Sequence, residues 1–279
     1  MSTTVFLVVL AAALFHAVWN ALVKGAEDRT VMLGLIALGT VPAGLILLAV
    51  SPALETEVLP WLVASMVVHW LYFWLLNNAY RLGDLSLIYP VARGVAPVIV
   101  ALAAQIWLGE VLPIGTWAGV VLVSIGILVL AWKAFSGALP KAGIYAALAV
   151  GLSISAYTLI DGIGVRLSGH SGAYIGWLFT AELLVALYIL PTRMHRVRVL
   201  PAKQLVLGFA GGVVASAAYG LVLYAKTLAP LGLVSALRET SVIFAALIGV
   251  ILFHEGPRGR RIIASIVVTA GIVMIGATS

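Results

Sequence analysis

No cysteine occurs among the 279 residues of this chain. Without thiols the chain can form neither a disulfide framework nor a cysteine-ligated metal site. Charged residues are also scarce, at 9% of the sequence, whereas hydrophobic residues make up 63%. A soluble protein of this length could not bury so much apolar surface, so the composition excludes a soluble domain and favours an integral membrane protein.

The sequence lacks the motifs that mark common hydrolytic enzymes. Neither HExxH nor GxSxG is present, and the five histidines are scattered along the chain. We therefore expect no enzymatic activity, no metal and no cofactor. The net charge of +6 could suggest binding to nucleic acid, but the basic residues fall singly or in short clusters between apolar runs. That distribution is typical of the loops of membrane proteins, so nucleic acid is not an expected partner.

Ten apolar runs follow one another, separated by short segments with turn residues or charges. Each run is close to the ~20 residues that a helix needs to cross a bilayer. No run shows the alternating apolar and polar residues of a membrane β-strand. Backbone N–H and C=O groups must be hydrogen-bonded inside the hydrocarbon layer, which leaves helices as the remaining structure. The sequence therefore predicts an all-α membrane protein with ten transmembrane helices, near residues 4–23, 31–50, 58–80, 86–108, 113–133, 142–165, 172–190, 204–225, 231–253 and 259–277.

A repeat with a constant offset of 145 residues runs without a gap from about residue 79 to residue 134. It relates Arg93 to Arg238 and Glu110 to Glu255. The offset divides the ten spans into five and five. Because five is an odd number, the second unit enters the membrane from the opposite side. We therefore expect two inverted five-helix repeats, residues 1–137 and 138–279, with a binding site where they meet.

Lysine and arginine are divided unevenly between the two sides of the predicted membrane. The loops after odd-numbered spans hold twelve of them, and the opposite side holds Arg166 and Lys226. Basic residues collect in cytoplasmic loops. We therefore expect a multi-pass protein of the cytoplasmic (inner) membrane with both termini on the periplasmic or extracellular side.

The ends of the fourth and ninth spans carry a recognisable pattern. The first reads Leu108-Gly109-Glu110 and the second Phe253-His254-Glu255, and a glycine-bearing helix follows each. With the stretches 89–94 and 237–241, this pattern resembles the EamA-type members of the drug/metabolite transporter (DMT) superfamily, over essentially the whole chain. The resemblance implies two five-helix halves and the transport of small metabolites.

Two positions depart from the patterns of those relatives. The arginine that often follows the glutamate is Val111 in the first copy and Gly256 in the second. The small four-helix multidrug relatives have a proton-coupling glutamate in their first helix, where this chain offers His16 and, in its second half, Ser153. The remaining candidates for a proton carrier are His16 and Glu182, an acid near the middle of span seven.

Two arginines inside the membrane are the leading candidates for substrate binding. A charge at this depth costs at least ~2.5–3.5 kcal/mol, so it needs a function or a partner. Arg93 and Arg238 could flank a central cavity and hold a carboxylate, phosphonate or sulfonate. The alternative is a structural ion pair, for which Arg238 has Glu239 beside it and Glu182 on another span. Asp161 lies nearer a membrane edge, where it could simply be solvated.

Polar and aromatic residues of three spans complete the candidate site. His16, Trp19 and Asn20 share one face of span one, and either line a cavity or form interhelical hydrogen bonds. Span three is aromatic at its centre, where one face could pack on the apolar part of a ligand. Span four contains Pro90 and Pro97, which predict a broken helix whose free carbonyls could serve a ligand; the alternative is a fixed kink that serves packing. The full set of candidate substrate-binding residues is Arg93, Arg238, Glu239, His16, Trp19, Asn20, His69, Tyr72, Asn77, Tyr89 and Glu182, with Phe73 on the same face as His69.

These features predict a secondary transporter that works by alternating access. Its substrate is expected to be a small anionic or zwitterionic metabolite, such as an amino acid, an organic acid or a phosphonate. A multidrug or cation exporter is the first alternative, because the aromatic residues of span three suit a cation. A channel or a non-transporting scaffold is the second alternative. Expected partners are the substrate and the lipid bilayer, with proton or exchange coupling and a monomeric or homodimeric state left open.

Overall fold

The computed structural model describes residues 2–83, 85–132, 134–252 and 259–279, except for the side chains of residues 77, 85, 86 and 134. These ranges form twelve α-helices, a 3₁₀ turn at Thr56–Val58 and a π-helical turn at Ala134–Ala138. The helices are α1 (Thr3–Lys24), α2 (Arg29–Val50), α3 (Leu59–Leu82), α4 (Leu85–Leu108), α5 (Ile114–Leu130), α6 (Lys141–Leu167), α7 (Ser171–Thr192), α8 (Met194–Val197), α9 (Ala202–Leu228), α10 (Leu231–Arg238), α11 (Ser241–Ile251) and α12 (Gly259–Thr278).

The prediction of ten membrane spans is confirmed. Within the described ranges, ten segments are long and apolar enough to cross a bilayer. Helices α1 to α7, α9 and α12 each supply one span, α10 and α11 together supply the ninth, and α8 is a single turn in a loop. The outward faces carry large apolar side chains such as Trp74, Trp107 and Ile114. Such residues are stable on an outer surface when lipid rather than water surrounds it.

Glycines let several of these helices approach one another closely. A Cβ atom on Gly39 of α2 would collide with the carbonyl oxygen of Phe209 on α9, and one on Gly212 would collide with that of Ile36. Helices α5 and α12 meet in the same way, because a Cβ on Gly119 or Gly271 would lie 2.7 Å from the other's carbonyl oxygen. Contact between backbones through small residues is how helices pack strongly in lipid.

The most extensive contacts join helices of the two halves. Helix α5 packs along α12, and α2 packs along α7. Helix α1 packs on α9 as α3 packs on α6. A two-fold relation between spans one to five and six to ten would generate this set, since it exchanges the first and sixth spans and the third and eighth.

The expected break in span four is wrong, and the observed break is in span nine. Helix α4 continues from Leu85 to Leu108 in spite of its two prolines. The ninth span stops at Arg238 and resumes at Ser241. Between them the backbone N–H groups bond to the carbonyl three residues earlier, as Glu239 N does to Ala236 O at 3.1 Å. The hydroxyl of Thr240 donates to Leu237 O at 2.7 Å. A hydroxyl that takes up a helix carbonyl stabilises such a break without proline.

Candidate functional site

An ion pair joins the two halves of the protein at mid-membrane. Arg93 of α4 donates from Nε to Glu239 Oε2 at 3.1 Å, and its Nη2 lies 2.9 Å from Oε1. Both side chains are buried. The sequence-based alternative that Glu239 pairs with Arg238 is therefore wrong. Neighbouring residues in a helical turn point about 100° apart, so Glu239 faces α4 while Arg238 faces elsewhere.

Arg238 makes no ion pair with any described residue. It is only 4% exposed, and its Nε has no hydrogen-bond partner there. Glu182, the other predicted partner, is not in contact with it: that carboxylate lies instead in a groove between α3 and α7. A buried guanidinium without a counter-ion is costly in a membrane.

Aromatic rings from four helices lie together near the arginines. The guanidinium of Arg93 lies 5.8 Å from the ring centre of Tyr89. His69 of α3 stacks on Tyr157 of α6 at 4.3 Å, and Tyr72 meets the same ring at 5.8 Å. Tyr219 of α9 lies edge-on to His69 at 6.1 Å. The structure thus brings the predicted Tyr89, His69 and Tyr72 together and adds two tyrosines that the sequence reasoning missed.

The polar face of α1 also lies beside the arginines. His16 is close enough to interact electrostatically with both Arg93 and Arg238. Its ring meets the ring of Trp19 edge-on at 5.2 Å. The amide of Asn20 donates to His16 O at 2.7 Å, within the same helix. His16 is therefore the residue of α1 best placed to contact a ligand, whereas Asn20 has its own backbone partner.

Glu182 lies apart from the arginines, in the groove between α3 and α7. Its neighbours there are His69, Trp70 and Met66, and the groove encloses about 10 Å³. That volume is room for about one water molecule. Trp70, Trp74 and Phe73 have exposed side chains. The side chain of Asn77 lies outside the described residues.

A second buried polar cluster was not anticipated. Asp161 of α6 is fully buried and accepts hydrogen bonds from Tyr174 Oη, at 2.9 Å, and from Tyr219 Oη. Lys226 of α9 is also fully buried. The expectations that Asp161 is solvated and that Lys226 belongs to a loop are therefore wrong. Gly164 makes room for the Tyr174 ring, because a Cβ atom on residue 164 would lie 2.5 Å from that ring.

Comparison with known proteins gives the family. The sequence model of the EamA-like transporter family matches residues 3–132 and 141–277. The chain belongs to this family. It is therefore a multi-pass membrane transporter of small molecules within the DMT superfamily, as the resemblance implied.

The solved structures support the same fold. One that is similar, titled "Crystal structure of protein", aligns with a TM-score of 0.71 over 98% of this chain and 96% of its own. The two share 19% sequence identity, so the likeness shows the fold alone. No curated protein matches the chain.

The glutamate that carried the family resemblance has a structural partner. Glu110, in the link after α4, lies 2.5 Å from Arg166 Nη1 and accepts the N–H of Leu231 at 2.7 Å. Arg166 also donates to the carbonyl oxygens of Lys226 and Ala229, at 2.7 and 2.9 Å. These bonds join the link after α4 to α6 and to the turn between α9 and α10. The corresponding Glu255 lies outside the described residues.

Proposed function

We propose that this EamA-family protein is a secondary transporter of a small anionic metabolite across the cytoplasmic membrane. The observation that carries the proposal is the buried guanidinium of Arg238, which lacks a counter-ion among the described residues. A carboxylate, phosphonate or sulfonate bound bidentately would supply that counter-ion. His16 and the rings near Arg93 would then contact the rest of the molecule.

The charges around Arg238 favour a substrate with one negative charge. Arg93 is neutralised by Glu239, so it does not add a second vacant cation. Asp161 is engaged by two tyrosine hydroxyls. An amino group on the substrate would therefore find no vacant carboxylate beside Arg238 in the described part of the chain. A simple monoanion fits better than a zwitterion, and a cationic drug would be repelled by Arg238.

Packing differences between equivalent helix pairs support an inverted repeat that works by alternating access. Helices α2 and α9 touch through Gly39 and Gly212, whereas α3 and α7 touch over a shorter stretch beside the small groove at Glu182. An inverted repeat of residues 1–137 and 138–279 would make these two pairs equivalent. In our proposal α2 and α9 move apart as α3 and α7 come together, so that the central site faces each side of the membrane in turn.

The distribution of basic residues supports an orientation with both termini on the periplasmic side. Lys226, which the sequence count assigned to the periplasmic loops, is instead buried in α9. Arg166, the other basic residue counted there, is paired with Glu110. The excess of lysine and arginine in the opposite loops therefore becomes larger than the sequence count suggested.

The substitution Arg238→Gln tests the site. Purified protein is heated with acetate, lactate, methylphosphonate or methanesulfonate, and with acetamide and tetramethylammonium as neutral and cationic controls. We expect at least one monoanion, and neither control, to raise the melting temperature, because a ligand that binds only the folded state stabilises it. The shift should vanish in Arg238→Gln and persist in Arg198→Gln, which alters an exposed loop arginine.

The same anion is then tested in proteoliposomes by counterflow, which a carrier supports and a channel does not. We expect counterflow to fall at least about tenfold in Arg238→Gln, which corresponds to about 1.4 kcal/mol of lost interaction. Undiminished counterflow in that variant would reject Arg238 as the anion site.

A further inference from the structure

Lys226 is buried with fewer partners than an ammonium group requires. It lies near the end of α9, fully buried, and its Nζ donates to Thr158 O at 3.0 Å. An ammonium has three N–H donors, and this carbonyl is its only hydrogen-bond acceptor among the described residues. No described carboxylate is within ion-pair distance of Nζ. Burial of this kind disfavours the charged amine and makes its protonation sensitive to nearby charge.

Tyr219 connects this amine to the buried carboxylate of Asp161. Its ring centre is 5.7 Å from Lys226 Nζ, and its hydroxyl donates to Asp161. The other oxygen of Asp161 accepts from Tyr174 of α7. Each oxygen of the carboxylate therefore accepts a hydrogen bond from one tyrosine hydroxyl. It lies beyond ion-pair distance of the amine, yet close enough to act on it electrostatically.

The remaining charges that face Lys226 come from α6 and α10. They are Arg166, which is paired with Glu110, and Arg238, which is not paired with any described residue. Helix α1 packs on this end of α9 with Val5 and Val9, which do not titrate. Asp161 thus favours a proton on Lys226, whereas Arg238, which has no counter-ion among the described residues, opposes it. Like charges in a poorly solvated site oppose each other, so a vacant Arg238 disfavours a proton on Lys226.

We propose that Lys226, with Asp161 and Tyr219, forms a proton-binding site coupled to anion binding at Arg238. The inference rests on the proposed function, since it needs an anion at that arginine. An anion that neutralises Arg238 favours the ammonium form of Lys226, and a proton on Lys226 in turn favours the anion, because linkage is reciprocal. The lone pair of Nζ takes a proton from water on the open side and returns it on the other side. One proton and one monoanion then cross together without net charge.

A nitrogen NMR measurement tests the proton site without any substrate. The protein is labelled with ¹⁵N-lysine in nanodiscs, and the Lys226 signal is the one that disappears in Lys226→Met. We expect the midpoint of this signal's pH titration to be higher in Arg238→Gln than in the unmodified protein, because the opposing charge is gone. The signals of the four other lysines serve as the reference. A Lys226 signal that does not respond to Arg238→Gln would overturn the proposal.

Transport driven by a pH gradient tests the coupling, with labelled lactate as the probe. For 1:1 symport, a gradient of one pH unit should concentrate lactate about tenfold in proteoliposomes. We expect Lys226→Met to lose this response, so that any residual exchange ignores the gradient. Lys203→Met, which alters an exposed lysine on the same helix, should keep it. Accumulation that survives in Lys226→Met would contradict the coupling.

The two proposals can fail separately. If the unmodified protein neither binds nor carries any of the monoanions, the proposed substrate class fails, whereas the nitrogen signal still decides whether Lys226 exchanges a proton under the influence of Arg238. If counterflow depends on Arg238 but the nitrogen signal of Lys226 does not, the proton site fails and the anion carrier stands.

Discussion

At the scale of single residues, the two repeated arginines differ because of one position. The offset of 145 residues that relates Arg93 to Arg238 also relates Gly94 to Glu239. Glu239 neutralises Arg93. Gly94 could not do the same for Arg238, because it has no side chain and a Cβ there would already lie 2.8 Å from Leu128 of α5. A single glutamate therefore decides which arginine is structural and which remains available for a ligand.

The substitution Glu239→Gln tests this division. It leaves Arg93 buried without a counter-ion, and such a loss costs about 3–5 kcal/mol in other proteins. We expect a correspondingly lower free energy of unfolding, measured by denaturant titration in mild detergent. In the double variant Arg93→Met with Glu239→Gln, most of the stability should return, because the uncompensated charge is gone. Equal losses in the single and double variants would show that the pair does not act as a unit.

At the scale of elements, the helices depend on specific groups at their ends and breaks. The side chain of Asp28 accepts the N–H groups of Thr30 and Val31 at 3.0 and 3.1 Å, which caps α2. Its other oxygen lies 3.3 Å from Arg196 of α8. Partial burial by itself raises the pKa of Asp28, but the bonds from Val31 and Thr30 and the charge of Arg196 outweigh it and lower the pKa. The carboxylate form is therefore the stabilising one.

Substitution of Asp28 tests the cap and its dependence on pH. We expect Asp28→Ala to lower stability by about 1 kcal/mol and Asp28→Asn to lower it less, because the amide oxygen still caps. The contribution of the charge should be complete above the unfolded pKa of about 3.9 and should be lost as the pH falls through the lower folded pKa. Thermal unfolding of the unmodified protein and the two variants as a function of pH checks both points. A stability difference between the unmodified protein and the Asp28→Asn variant that grows as the pH falls would have the wrong sign.

At the scale of the whole molecule, the two halves pack in one asymmetric arrangement. Helices α2 and α9 are in backbone contact at Gly39, whereas α3 and α7 touch over a shorter stretch and leave a small groove at Met66 and Glu182. Helices α5 and α12 pack along most of their lengths. If the transporter alternates as proposed, the distance between α3 and α7 changes during transport, and the contact of α5 with α12 persists.

Disulfide cross-links test this motion, and the lack of native cysteine makes them unambiguous. We expect the pair Met66→Cys and Leu178→Cys, which line the groove, to abolish counterflow when oxidised and to restore it on reduction. Thr116→Cys with Thr278→Cys serves as the control, since the two hydroxyl oxygens lie 3.1 Å apart across α5 and α12. That cross-link should leave counterflow unchanged. Full transport with the groove pair oxidised would contradict a moving α3–α7 interface.

Much of the fold and part of the candidate site could be predicted from the sequence. Hydropathy depends on neighbouring residues alone, so the ten spans and the buried, repeated Arg93 and Arg238 were evident. The aromatic partner Tyr157 could have been considered, because it stands in span six, the counterpart of span one, where Trp19 was already a candidate. Asp161 and Lys226 were misjudged, because both stand near the ends of apolar runs, where the sequence does not distinguish a loop from a buried turn.

The sequence by itself determined the number of spans and the offset of 145 residues that relates Arg93 to Arg238, since both can be seen along the chain without knowledge of its packing. Only the tertiary structure decided how those charges pair. The bond between Arg93 and Glu239 joins residues 146 positions apart, and the distance between Asp161 and Lys226 depends on how α6, α7 and α9 pack. Pairing is a property of facing surfaces, and the close contacts at glycines and the break after Arg238 set those surfaces.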